Sequence, residues 1–339
     1  MKDILINFSS PVLGNNSIFN TNDANNLNDS WKFLKKKLAD LGYDIKTADQ
    51  NGLSNCAWVL FIDGDSLGEK AEMKRKLYQE CLDYGLKDKA ALFLWEGKSV
   101  KPYNYTKQLY DKFSTIFTWN DDLVDNKKFF KFYLPIPNHT PIAITVPFSQ
   151  KKLLTNISFN KYSPYKNELY STRRKSISYF NNKHSADFDL YGLRWNRPIT
   201  RLQTMFPFLV KKYSTFRGHA KNKIDILSRY KFNICYENLS GANGYITDKI
   251  FDCFNAGTVP IYWGAENITD YVDKNAFIDR REFKSDKELF NFLNNIDEKE
   301  YNKYLSAIEK YLTSDNYKLF LPENFADTII KTLNLKTNL

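Results

Sequence analysis

The first half of the chain alternates short apolar runs with longer amphipathic segments. The apolar runs predict buried strands at Ile4–Phe8, Ala57–Ile62, Ala90–Trp95 and Thr115–Trp119. Between them, the spacing of apolar residues predicts helices over Trp31–Leu41, closed by Gly42, and over Glu69–Tyr84. Strands that alternate with helices are typical of an α/β domain built on a doubly wound parallel sheet.

A proline-rich stretch, Pro135–Pro147, interrupts this pattern and predicts a connection between two domains. After it, strands are predicted at Asn156–Asn160, Phe188–Gly192, Phe232–Tyr236 and Val259–Trp263, with a helix over Glu298–Leu312. We therefore divide the chain into an α/β domain over residues 1–150, a second over 151–315 and a helical segment over 316–339. Two such domains are expected to face each other across a cleft and to bind ligands at the carboxyl ends of their strands.

The composition agrees with a globular protein of two domains. The chain has 339 residues, and its apolar runs are too short to span a membrane. Because the N-terminus opens directly into a strand candidate, we expect no secretory leader. The four cysteines are far apart in sequence, which favours reduced thiols and a cytoplasmic location.

The positive charge is concentrated in one part of the chain. The net charge is +10, yet residues 151–234 contain 18 Lys and Arg against 4 Asp and Glu, and the remainder is net negative. A basic segment of this kind suits an anionic ligand such as a nucleotide diphosphate, a nucleic acid or an anionic lipid, and also a solvated surface without a partner. Charge alone leaves these alternatives open.

Several common catalytic patterns are absent from the sequence. There is no G-x-G-x-x-G or Walker A loop, and the three histidines have no metal-binding spacing. The pairs Asp63/Asp65 and Asp187/Asp189 resemble a metal-binding D-x-D, but their placement favours turn or structural roles. We therefore predict no metal site.

The most informative segment is residues 232–264. Here a strand ends in Glu237-Asn238, a glycine-containing loop follows, and Thr247 is placed to cap a helix over Asp248–Asn255 before the strand Val259–Trp263. Lys249 lies in the first turn of that helix, where the backbone N–H groups and the lysine charge suit a diphosphate. An ordinary parallel βαβ unit with polar surface residues would also produce this pattern.

The same segment resembles the signature of glycosyltransferase family 10, the α-1,3-fucosyltransferases. The matching residues are Glu237-Asn238, then Tyr245-Ile246-Thr247-Asp248-Lys249, then Gly257-Thr258-Val259-Pro260. Asp248 stands where the family usually has Glu. The resemblance extends to residues 168–180, where Arg173 matches the family's S-x-R element, and more loosely to residues 1–150.

The resemblance implies a fold of two facing Rossmann-like domains, the GT-B type, with GDP-β-L-fucose as the donor and no required metal or other cofactor. It implies that Glu96 is the general base that takes the acceptor's proton. Donor-binding roles are implied for eight residues: Arg173, Lys223, Glu237, Asn238, Tyr245, Thr247, Asp248 and Lys249. Arg173 and Lys249 would hold the diphosphate, Asn238 and Tyr245 the nucleotide or phosphates, and Asp248 the fucose hydroxyls.

The activity implied is inverting transfer of L-fucose to an acceptor glycan of the N-acetyllactosamine or lactose type, in a setting such as lipopolysaccharide synthesis. A transferase of the same fold that uses another nucleotide sugar is the first alternative, because Asp248 could alter the sugar pocket. A nucleic-acid-binding protein is disfavoured, because the basic residues are spread over α/β elements and form no recognition helix. We expect no transmembrane segment; peripheral association with the inner membrane through basic residues is compatible with the sequence.

Overall fold

The fold is described from a computed structural model, which describes residues 1–20, 28–68, 75–137 and 146–337. The chain forms two compact units. The first comprises Met1–Asn138 together with Lys318–Leu339, and the second comprises His139–Tyr317. The segment Lys318–Leu339, which contains the last helix of the chain, belongs to the first unit.

The first unit is built on a sheet of six parallel strands in the order β2-β1-β3-β4-β5-β6. Its strands are β1 (Lys2–Phe8), β2 (Tyr43–Thr47), β3 (Cys56–Ile62), β4 (Ala90–Leu94), β5 (Thr115–Thr118) and β6 (Phe129–Lys131). The helices that precede the second unit are α1 (Ser17–Asn20), α2 (Asp29–Asp40), α3 (Leu77–Asp83) and α4 (Lys107–Tyr110). The first six residues of the predicted helix over Glu69–Tyr84 lie outside the described residues.

The second unit contains a sheet of five parallel strands in the order β11-β10-β9-β7-β8. Its strands are β7 (Lys152–Phe159), β8 (Phe188–Leu193), β9 (Tyr230–Tyr236), β10 (Val259–Trp263) and β11 (Ile278–Asp279). The helices that follow β7 along the chain are α5 (Tyr170–Lys183), α6 (Arg201–Met205), α7 (Lys223–Leu227), α8 (Asp248–Asn255), α9 (Asp286–Asn295), α10 (Glu298–Leu312) and α11 (Asp315–Lys318). The last helix, α12 (Pro322–Thr332), belongs to the first unit. Because β7 lies between β8 and β9, the strand order reverses there, and the carboxyl ends of β7 and β9 flank the place where open α/β sheets bind ligands.

The last helix completes the core of the first unit. Phe325 of α12 packs edge-on against Trp31 of α2, with the ring centroids 5.0 Å apart. The same phenylalanine also contacts Phe93 at the centre of the sheet. Both aromatic partners are buried, so α12 covers one face of the first sheet.

Candidate active site

The centre of the candidate site is Glu237, the residue that directly follows β9. Its side chain is 0% exposed, and its backbone N–H donates to the carbonyl of Trp263 over 2.8 Å. One carboxylate oxygen accepts from the backbone N–H of Thr247 at 2.9 Å, and the other accepts from Lys249 Nζ at 3.0 Å. A buried carboxylate is stable only when it is paired and hydrogen-bonded, and Glu237 meets both conditions.

This arrangement fixes the start of α8. Thr247 is the N-cap, and its hydroxyl donates to both oxygens of Glu237 (3.0 and 2.9 Å) while it accepts from Lys249 Nζ at 2.9 Å. Space for the glutamate comes from Gly264, where an added Cβ would lie 2.5 Å from Glu237 Cγ. The carboxylate thus locks Thr247 and Lys249 to the end of β9. These contacts are those of a residue that positions Thr247 and Lys249, and the predicted role of Glu237 in donor binding stays a prediction.

Lys249 retains its charge in this setting. Burial by itself would lower the pKa of Lys249, but the neighbouring charges of Glu237 and Asp248 outweigh that cost, so the pKa is raised. The ammonium group lies on the first turn of α8, where its charge and the positive end of the helix would both attract a phosphate.

Arg173 joins α5 to the same strand end. Its guanidinium is 3% exposed and donates to the carbonyls of Tyr236 at 2.6 Å and Glu237 at 2.8 Å. Burial lowers the pKa of Arg173, partly offset by the charge of Glu237. Its Nε is buried and has no hydrogen-bond partner among the described residues. Arg173 therefore holds the carboxyl end of β9 directly, and its predicted contact with a diphosphate stays a prediction.

Lys223 and Asp248 form a second ionic group beside the first. Lys223 Nζ lies 2.8 Å from Asp248 Oδ2 and 2.6 Å from Asp252 Oδ2, so α7 is tied to α8. Burial would raise the pKa of Asp248, but the charges of Lys223 and Lys249 outweigh it and hold the pKa well below its usual range. Asp252 behaves in the opposite way, since burial and the charge of Asp248 raise its pKa to about 6. The structure shows Lys223 as a partner of Asp248, and its predicted contact with the donor stays a prediction.

Asn238 and Tyr245, the two remaining residues predicted to bind the donor, differ in solvent exposure. Asn238 is half-buried, and its backbone carbonyl accepts from the N–H of Leu169 at 3.1 Å, which joins the loop after β9 to the start of α5. Tyr245 is 2% exposed and contributes its ring to the interior of the second unit. The structure therefore brings Arg173, Glu237, Thr247, Asp248, Lys249 and Lys223 into one connected cluster, and places Tyr245 inside the fold.

Glu96 lies in the first unit, two residues beyond β4, and its backbone is held by a buried acid. Asp63, which follows β3, is 5% exposed and accepts from the backbone N–H groups of Trp95 at 2.7 Å and Glu96 at 3.1 Å. Asn104 Nδ2 donates to the same oxygen at 2.5 Å, and the carbonyl of Glu96 accepts from the hydroxyl of Tyr105 at 3.0 Å. The Glu96 side chain is half-buried. Its backbone is therefore rigidly placed, whereas its role as the base stays a prediction.

Both D-x-D pairs have structural partners. Asp63 forms the contacts described above, and Asp65 pairs with Lys101. Asp189 is bound by Arg217, Lys152 and the hydroxyl of Tyr230. Within the described part of the chain, no group of three or more His, Cys, Asp or Glu is arranged to hold a metal. The predicted structural roles of Asp63 and Asp189 are confirmed.

Sequence reasoning missed three contributors to these clusters. Asp252 lies one turn after Asp248 on α8, and only the three-dimensional placement of Lys223 joins the two acids. Asn104 is far from Asp63 in sequence, and no local pattern connects them. Gly264 follows the apolar strand β10, and its closeness to Glu237 is a tertiary contact. For Asp252, the i, i+4 spacing from Asp248 was the one available signal.

These two parallel sheets have the α/β architecture of GT-B glycosyltransferases. Solved structures with this fold include an α1,3-fucosyltransferase (TM-score 0.58, 16% identity, 98% of this chain and 90% of that one) and a T4 phage enzyme, BGT, with UDP and Mn²⁺ (TM-score 0.56, 16% identity, 99% and 100%). At such low identity, these likenesses define the fold alone. None of the helices in the described ranges is long and apolar enough to cross a bilayer.

Residues 170–325 match the model of the C-terminal domain of glycosyltransferase family 10, the fucosyltransferases. This match covers less than half of the chain, and it confirms the resemblance seen in the sequence. An α-(1,3)-fucosyltransferase of Helicobacter pylori is 38% identical over 80 residues, which are 24% of this chain and 16% of that protein. An α-(1,4)-fucosyltransferase of Arabidopsis thaliana is 36% identical over 86 residues, 25% of this chain and 21% of that protein. The aligned segments thus span only about a sixth to a fifth of these relatives.

Proposed function

We propose that the protein transfers L-fucose from GDP-β-L-fucose to a glycan hydroxyl. The observation that carries this proposal is the cluster formed by Glu237, Thr247 and Lys249, which lies within the segment that matches the family 10 domain. A rigid helix start with a retained lysine charge is suited to a diphosphate leaving group, because negative charge grows there as the sugar departs.

The proposed reaction is a single displacement with inversion at the sugar. The acceptor oxygen attacks C1 of fucose, the bond from C1 to the β-phosphate oxygen breaks, and GDP leaves with the bonding electrons. Glu96 takes the proton of the acceptor hydroxyl. Lys249 and the N–H groups at the start of α8 stabilise the departing diphosphate, with Arg173 keeping the end of β9 in place.

Asp248 and Lys223 are proposed to set the sugar side of the donor site. Because Asp248 is one methylene shorter than the family's usual glutamate and is drawn towards Lys223 at 2.8 Å, its carboxylate has a defined position. We propose that it receives a hydroxyl of the fucose ring. The second candidate function is transfer from another nucleotide sugar. In that case, the position of the Asp248 carboxylate, held by Lys223, would account for the different donor.

The acceptor is proposed to be an N-acetyllactosamine or lactose unit, and lipopolysaccharide synthesis in the cytoplasm is the setting. The related proteins include both an α-(1,3)- and an α-(1,4)-fucosyltransferase, so the α-1,3 linkage is part of the proposal. The proposed mechanism includes no metal ion, because Lys249 and the N–H groups at the start of α8 are proposed to stabilise the negative charge of the departing diphosphate.

The test is a panel of nucleotide sugars offered with lactose and with N-acetyllactosamine. Transfer from GDP-fucose, with a product whose linkage is assigned by NMR, is the expected result. A matched assay with chelator and with added Mn²⁺ tests the metal-free mechanism. Transfer only from another nucleotide sugar would replace the proposed donor, and no transfer from any of them, with GDP unbound in calorimetry, would overturn the proposal.

A further inference from the structure

The second unit exposes an unusual group of apolar side chains. Twelve large apolar side chains are exposed in the described part of the chain, and five of them fall within eight residues. We call these five the apolar patch: Leu202, Met205, Phe206, Phe208 and Leu209. Phe208 is 81% exposed and Met205 is 70% exposed, so the patch is open to solvent over most of its apolar surface.

The apolar patch does not stabilise the fold through its side chains. None of the residues of α6, or of the 3₁₀ turn Pro207–Leu209 that follows it, is buried. The segment is shaped instead by local hydrogen bonds. Thr200 caps α6 by accepting from the N–H of Gln203 at 3.3 Å, and the N–H of Ile199 donates to the Gln203 side chain at 2.9 Å. An ordered turn that presents apolar groups outwards points to a partner outside the unit.

The surroundings of the patch are basic. Between Leu190 and Ile224 the chain has eight Lys and Arg residues and no Asp or Glu. Arg201 immediately precedes the patch, and Lys211 and Lys212 follow it; all three are exposed. Apolar groups with a cationic border complement a surface that is negatively charged outside and apolar beneath.

We infer that the apolar patch is a membrane-docking surface, which inserts into a bilayer while Arg201, Lys211 and Lys212 contact anionic lipid headgroups. The composition of the patch favours lipid over nucleic acid, because three of its five side chains, Leu202, Met205 and Leu209, offer no planar face for a base to stack on. The adjacent Phe206 and Phe208 rings, 5.9 Å apart and edge-on, form a compact wedge suited to the acyl boundary. None of these residues is among those proposed for sugar transfer.

The test is flotation of the full chain with vesicles of phosphatidylcholine and phosphatidylglycerol in equal parts, and with phosphatidylcholine alone. We expect binding to the anionic vesicles that weakens as salt is raised. Met205→Ser/Phe208→Ser should reduce it by about tenfold or more, and Lys211→Gln/Lys212→Gln by a smaller factor that disappears at high salt. Val12→Ser, at a side chain 79% exposed in the first unit, and Lys299→Gln/Lys303→Gln, on α10, are the matched controls and should bind as wild type does.

Three results would overturn this inference. The first is that wild type ignores anionic vesicles or that Met205→Ser/Phe208→Ser binds them equally well. The second is a concentration-dependent dimer in ultracentrifugation that only the patch variant loses, which would assign the patch to a second copy. The third is binding to a single-stranded oligonucleotide, but not to vesicles, that Lys211→Gln/Lys212→Gln removes. Transfer to soluble lactose should be unchanged in every variant, so failure of the docking surface and failure of the proposed activity are distinguishable.

Discussion

The carboxylate of Asp63 accepts a hydrogen bond from the backbone N–H of Glu96 over 3.1 Å, so a buried acid after one strand fixes the residue beyond the end of the next. Burial raises the pKa of Asp63 to about 6, with the charge of Glu96 adding to the effect and the N–H donors opposing it. The backbone of Asp63 also has φ 62° and ψ 158°, a combination that is rare for any residue other than glycine.

This pKa makes the stability of the first unit depend on pH. Between about pH 4 and pH 6 the folded state holds a proton on Asp63 that the unfolded state has released, so the contribution of Asp63 to stability falls as pH rises through this window. The total change is about 3 kcal/mol. Asp63→Asn keeps the shape and removes the titration. Denaturant unfolding from pH 4 to pH 7 should therefore show the variant gaining about 3 kcal/mol relative to wild type, and a constant difference would contradict the assignment.

Glu96→Gln tests the proposed base. The amide keeps the size of the side chain but cannot take a proton, so kcat for transfer to lactose should fall by about 10²–10⁴-fold while GDP affinity in calorimetry stays constant. Asp121→Asn is the control, because Asp121 is an acid of the same unit that already pairs with Lys131. If Glu96→Gln keeps nearly full kcat and Asp121→Asn loses it, the base is Asp121.

Lys249→Met should destabilise the second unit, because it leaves Glu237 as a buried charge without its cation. Removal of one partner of such a pair costs about 3 kcal/mol. The double variant Glu237→Gln/Lys249→Met removes both charges and should recover part of that stability. GDP binding, measured by calorimetry below the unfolding transition, should stay weak in the double variant if Lys249 contacts the diphosphate. Recovery of GDP binding along with stability would show that Lys249 acts only as the partner of Glu237.

Lys223→Met should separate binding of the sugar from binding of the nucleotide. Without Lys223, the carboxylate of Asp248 loses its partner at 2.8 Å, and only the charge of Lys249 remains to offset its repulsion by Asp252. We expect KM for GDP-fucose to rise by about tenfold while Kd for GDP changes little, since a charge-assisted contact is worth about 1.5–3 kcal/mol. Asp252→Asn keeps the pair of Lys223 and Asp248 and is the matched control. Equal losses for GDP and GDP-fucose would place Lys223 against the nucleotide instead.

Arg173→Ala should lower the stability of the second unit, because the carbonyls of Tyr236 and Glu237 lose their buried donor. The expected cost is about 2–4 kcal/mol, and Arg173→Lys should recover little of it because one ammonium cannot reproduce the fork of the guanidinium. GDP affinity is measured on the same samples at a temperature where each variant is folded. A loss of GDP affinity without loss of stability would mean that Arg173 acts on the diphosphate directly.

Elements with a strong local signal were predicted well. The strand Val259–Trp263 and the helices Asp248–Asn255 and Glu298–Leu312 have the predicted bounds. Two strands of the first sheet, Tyr43–Thr47 and Phe129–Lys131, were missed. Both lie at the edges of the sheet, where a strand needs fewer apolar residues, so their patterns are weak. The apolar run after Ala90 was predicted to end at Trp95, whereas the strand ends at Leu94.

The sequence predicted the location of the candidate site better than it predicted which side chains contact one another there. The motif placed Glu237, Thr247 and Lys249 together, because a strand end and a following helix start are adjacent by topology. It could not show that Glu237 faces inwards, since that depends on the space left by Gly264. The pairing of Lys223 with Asp252 depends on how α7 packs against α8, which no local pattern encodes.

The contact between Phe325 and Trp31 has a consequence for how the chain is made. During synthesis, residues 1–137 leave the ribosome long before α12 does, and until then the aromatic face around Trp31 lacks its cover. The second unit, continuous along the chain, has all its strands and can complete its sheet first. We therefore expect the first unit to finish folding only after translation ends, and until then to depend on chaperones that shield apolar surface.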